Sequence, residues 1–65
     1  MRYKIEYLAH ASIVHLKMPF ALTLAGVTDE ARSGGATAKT LFGASGFQIR
    51  DAEDGQIVVS ETFGV

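Results

Sequence analysis

His10 and His15 are the two imidazoles in the chain, and no cysteine accompanies them. Five residues apart on one strand, they would face opposite sides, whereas a metal site needs ligands that converge. A zinc site would need Asp or Glu from elsewhere, or a second subunit. Two solvated histidines are the ordinary reading. The candidate nucleophiles are Ser12, Ser33, Ser45 and Ser60. No G-x-S-x-G elbow surrounds any of them, and a catalytic triad also needs a positioned third group and an oxyanion site. The acidic residues have structural duties of their own: Asp29-Glu30 suit a helix start, and Asp51, Glu53 and Asp54 suit a turn. No catalytic residue, metal ligand or cofactor is therefore assigned. An enzyme built on His10 or His15, hydrolytic or metal-assisted, ranks third among the functional readings.

Two glycine patterns suggest phosphate or nucleic-acid chemistry. Ser33-Gly34-Gly35-Ala36-Thr37-Ala38-Lys39-Thr40 ends like a phosphate-binding loop, but that loop needs glycine where Ser33 and Ala38 stand. Without those glycines the backbone N–H groups cannot wrap the phosphates closely. Gly43-Ala44-Ser45-Gly46 has the G-x-x-G spacing with which one RNA-binding module clamps a backbone. Here the pattern lies between a helix and a strand, and it reads as a helix stop followed by a loop.

The composition bounds what these residues can belong to. The chain has 65 residues, 48% of them hydrophobic, with six basic against seven acidic side chains. That size fits one domain spanning 1–65. The apolar content argues against disorder, and the near-zero charge argues against a wholly basic nucleic-acid binder. No stretch reaches the roughly 18 to 20 apolar residues of a membrane span, so no membrane partner is expected. The N-terminus lacks a secretory h-region, and a cytoplasmic location is the default. A domain this short has little volume for a pocket in the usual range of about 300 to 1,000 Å³. It is also marginal in stability, and small domains often gain support from a disulfide, a metal or a second subunit.

Alternation places the strands. Tyr3, Ile5 and Tyr7 point one way and Arg2, Lys4 and Glu6 the other, which predicts a half-buried strand. After Ala9-His10-Ala11, the residues Val14, Leu16, Met18, Phe20, Leu22 and Leu24 hold every even position. A period of two over twelve residues predicts one long strand with its even face on the core. Phe20, Leu24, Val27 and Ala31 also fit helical spacing, so residues 20–27 stay open between strand and helix; Gly26 favours the strand. Thr28-Asp29-Glu30 predicts a helix start, with Ala31, Gly34 or Gly35, Ala38, Leu41 and Phe42 on one face and Gly43 as terminator. Gly34-Gly35 either lets this helix lie close to a sheet or breaks it in two. Phe47 and Ile49 alternate with Gln48 and Arg50, Asp54-Gly55 supplies a turn, and Gln56–Thr62 returns with Ile57 and Val59 inward.

The predicted fold is α+β, a small ββαββ domain whose four-stranded, mainly antiparallel sheet carries one helix on one face. A right-handed crossover gives the strand order 2-1-3-4. Pro19, which has no N–H to donate, then lies on an edge. The expected core is Tyr3, Ile5, Tyr7, Val14, Leu16, Met18, Phe20, Leu22, Leu24, Ala38, Leu41, Phe42, Phe47, Ile49, Ile57 and Val59. The segment Gly46-Phe47-Gln48-Ile49-Arg50-Asp51, followed by Asp54-Gly55-Gln56-Ile57-Val58, resembles the terminal hairpin of many short bacterial α+β mini-proteins of unknown function. Thr28-Asp29-Glu30-Ala31-Arg32 is similar to the helix openings before it. The resemblance implies a bacterial mini-domain and brings no activity with it.

Two surfaces emerge from this parity. The second strand would run about 40 Å against about 23 Å for the first. Its surplus, with Pro19, Ala21, Leu22, Thr23 and Leu24, would be an apolar edge suited to self-association. The sheet face away from the helix would gather Arg2, Lys4, His15, Lys17 and Arg50, with only Glu6 opposing them, and could meet an anionic partner. The leading functional reading is a non-enzymatic module whose partner is itself or another protein. Weak binding of nucleic acid or another polyanion through the basic face comes second.

Overall fold

The computed structural model describes residues 2–63. Its elements are β1 (Tyr3–Ala9), β2 (Ser12–Lys17), α1 (Leu24–Ser33), α2 (Gly35–Phe42), β3 (Gly46–Asp51) and β4 (Ile57–Thr62). The strands form one four-stranded sheet in the order β2-β1-β3-β4, every neighbouring pair antiparallel. The α+β class and the expected strand order both hold. The single helix does not: two helices, α1 and α2, connect the hairpins.

The first hairpin closes on His10 and Ala11, both with positive φ (52° and 67°). Two consecutive residues in that region are what a two-residue hairpin turn matching the strand twist requires. The second hairpin closes on Asp51–Gly55. The Asp51 carboxylate accepts from Glu53 N at 2.8 Å, and Gly55 adopts a φ of 75° that a side chain would oppose.

The helical segment departs most from the sequence reading. The long second strand ends at Lys17, and α1 begins seven residues later, with Thr23 rather than Thr28 as its cap. Thr23 Oγ1 accepts from Gly26 N at 3.1 Å. Leu24, Val27 and Ala31 then face the core, so the helical alternative holds from Leu24 onward, while residues 20–23 are neither helix nor strand and Phe20 is exposed. Gly26 fits this arrangement because a Cβ there would lie 2.8 Å from the Ala21 Cβ. Asp29 and Glu30 fall in the middle of α1 instead of its first turn, which holds no acidic residue.

Gly34 joins the two helices without severing the hydrogen-bond ladder. Gly34 N donates to the Glu30 carbonyl, and Ala38 N to the Gly34 carbonyl, both at 3.0 Å. The joint rests on the sheet through its missing side chains. A Cβ on Gly34 would meet the Tyr7 hydroxyl, and one on Gly35 the Phe63 ring. Gly43 ends α2 in the left-handed region at φ 70°, as expected of a terminating glycine.

The core comprises Ile5, Tyr7, Val27, Ala31, Ala38, Ala44, Phe47 and Ile49, with Tyr3, Val14, Ala21, Leu24, Val59 and Phe63 packed around it. Of the expected core, Leu16, Met18, Phe20, Leu22, Leu41, Phe42 and Ile57 are exposed instead. Bulges explain two of these. His15 pairs with Tyr7 but Ile13 pairs with Leu8, so Val14 is an extra residue in β2. Val59 pairs with Ile49 but Ile57 with Arg50, so Val58 is extra in β4. One inserted residue shifts its strand's remaining side chains to the opposite face. Leu16 therefore shares the outer face with Glu6, and Ile57 with Arg50, while His15 and Lys17 turn towards α2.

Candidate functional site

Beyond Lys17 the chain leaves the sheet and crosses to α1, and Glu30 fixes its path. The Glu30 carboxylate accepts from Phe20 N through Oε1 at 3.0 Å and Oε2 at 3.1 Å, and from Ala21 N at 2.6 Å. Backbone N–H groups preceding a helix are thus satisfied by a side chain of that helix. Charge-assisted bonds of this kind are stronger than neutral ones. Ala21 packs on the core between them and anchors the segment from below.

This tether holds apolar side chains out of the fold. Phe20 is 90% exposed, Leu22 84% and Met18 59%. Beside them lies a cavity of about 210 Å³ lined by Arg2, Tyr3, Met18, Pro19, Ala21 and Leu22. Of the expected self-association edge, Leu22 is at the surface and Pro19 is half-buried; Ala21 and Leu24 support the core, and Thr23 is the α1 cap. None of the five lies in a strand, because β2 ends at Lys17. Phe20, Met18 and Glu30 complete the surface, and sequence reasoning missed all three. It assigned the first two to the core by parity and gave Glu30 to the helix dipole.

The expected basic face is divided. Lys4 and Arg50 are paired neighbours on the outer face, and Arg2 is exposed just before β1. His15 and Lys17 stand opposite Tyr7 and Ile5, on the helix side. There the His15 ring stacks on Phe42, centroids 4.5 Å apart and planes at 10°. With Lys17, Thr37 and Tyr7 they line an open groove of about 360 Å³. Arg50 in turn is engaged: its Nε lies 3.3 Å from both Glu6 carboxylate oxygens, and its Nη1 donates to the Gly55 carbonyl at 2.6 Å. Gln48 Nε2 donates to Glu6 Oε1 at 2.6 Å, completing a polar cluster in which Glu6 is only 4% exposed. Burial pushes the Glu6 carboxyl up, but the bonds from Gln48 and Arg50, with the charges of Arg50 and Lys4, outweigh it and hold the group below its ordinary value.

The remaining motifs are absorbed by the fold. The N–H groups of Gly43 and Ala44 close the end of α2 on Lys39 and Ala38, and Ser45 N donates to the Leu8 carbonyl at 2.7 Å. They are committed internally, and Ser33 to Thr40 is helical apart from Gly34. Among the described residues no three His, Cys, Asp or Glu side chains converge on a metal position, and no helix is long and apolar enough to cross a membrane. Comparison with protein-family models, curated proteins and solved structures finds no match to this chain.

Proposed function

We propose that this chain is a non-enzymatic, cytoplasmic protein-interaction module and that it associates with itself. The observation that carries the reading is the pair of exposed apolar side chains, Phe20 and Leu22, on a backbone tied to Glu30. A fixed segment presents the same apolar shape at every encounter, so little ordering entropy is lost on contact. The balance of large side chains supports it. Five are fully buried, namely Tyr7, Phe47, Ile5, Ile49 and Val27, while nine large hydrophobics among the described residues are exposed. With a formal charge of −1, the chain also has little net repulsion to keep copies apart.

Sedimentation across a concentration series tests the proposal. The mass of the native chain rises with concentration, and Leu22→Lys abolishes the rise while leaving the circular dichroism spectrum unchanged. A native chain that stays monomeric at high micromolar concentration overturns the reading.

A further inference from the structure

Resting on the self-association reading, we infer that the Phe20 ring of one copy seats in the cavity beside Leu22 of a second copy, and that the exchange is reciprocal. The cavity measures about 210 Å³. A phenyl ring fits that space, since a cavity of about 150 Å³ holds benzene. Among the described residues its walls come from Tyr3, Met18, Pro19, Ala21 and Leu22, with the charged side chain of Arg2 at its side. An aromatic guest suits that lining: the thioether of Met18 and the guanidinium of Arg2 both attract an aromatic ring.

The position of the ring identifies a second copy as the guest. Pro19 and Ala21, the chain neighbours of Phe20, line the cavity, whereas Phe20 itself does not and is 90% exposed. Projection and recess thus sit side by side on one short segment. A two-fold contact requires one patch to complement itself, and adjacency of the two features meets that requirement. Each copy then buries one ring and fills one recess, and the contact closes as a dimer. The Glu30 tether spans Phe20 and Ala21 N–H, so projection and recess are held in one fixed relation.

The test combines Phe20→Ala with an isotope-filtered NMR experiment on a mixture of labelled and unlabelled chains. Because Phe20 is exposed, the substitution leaves the fold intact, which circular dichroism checks. The dimer dissociation constant is expected to rise at least about tenfold, the effect of losing a central aromatic anchor. Met18→Ala, which alters the recess, weakens the dimer in the same direction. Intermolecular contacts run from the Phe20 ring of one copy to the Met18 methyl of the other. A dimer that Leu22→Lys abolishes but Phe20→Ala leaves unchanged, without those intermolecular contacts, overturns this inference and spares self-association. A native chain that never dimerises overturns both.

Discussion

The Tyr7 hydroxyl donates to the Ala31 carbonyl at 2.9 Å, and a Cβ on Gly34 would sit 2.5 Å from the hydroxyl oxygen. The two positions are therefore coupled. Alone, Gly34→Ala should gain about 1 kcal/mol of helix propensity. It should lose more, because the ring must move and the buried bond to Ala31 goes with it, at about 1 to 3 kcal/mol. We expect net destabilisation in urea titration, and a change of sign in the Tyr7→Phe background, where the nearest ring carbon lies at an ordinary 3.5 Å. Additive effects of the two substitutions would refute the coupling. Glu6 makes a second prediction. Its folded-state value is lowered, so its contribution to stability is fully present above the unfolded value, about 4.3, and is lost as pH falls through the folded one. The stability difference between the native chain and Glu6→Gln should accordingly shrink in acid. Arg50→Met, which removes the paired guanidinium from the buried carboxylate and leaves only the charge of Lys4 nearby, should cost about 3 kcal/mol at neutral pH. Glu6 itself was legible as a polar member of an alternating strand. Its burial was not, because Gln48 and Arg50 reach it from more than forty residues away.

At the scale of elements, the first hairpin turn places His10 and Ala11 in a region that costs residues with a Cβ about 1 kcal/mol or more each. Combining His10→Asn with Ala11→Gly supplies the residues this turn favours and should raise stability by about 1 kcal/mol. A drop in melting temperature would show that the turn serves something other than strand reversal. The strands themselves were legible where alternation met no bulge: β1 and the inward pair Phe47 and Ile49 lie as expected. In β2 the same rule misled, since Val14 is inserted and Leu16 turns outward. The helix start was also encoded, in Thr23 followed by Leu24, Val27 and Ala31 at helical spacing. The even-position run from Val14 to Leu24 competed with it. Neither pattern alone says which hydrogen bonds the backbone of residues 18–23 will find.

For the whole molecule, the consequence is a small core and a large apolar surface. A chain of 65 residues buries a limited share of its surface, and among the described residues three of the eight buried apolar side chains are alanines. Such a domain gains from association, and the Leu22→Lys and Phe20→Ala experiments probe whether the segment from Met18 to Leu22 provides it. The amino-acid order by itself determined the strand alternation of β1 and β3, the stops at Gly43 and Gly55, the fold class and the order of the strands. These are local demands: a side chain's face, a glycine's φ and a short connection's reach. Tertiary contacts decided the rest: where β2 ends, which apolar residues are core, and that His15 and Lys17 share the helix side. The physical reason is competition between distant partners. Beyond Lys17 the amides of Phe20 and Ala21 find the Glu30 carboxylate instead of a neighbouring strand, and a one-residue bulge reverses a face without altering the hydrophobic pattern.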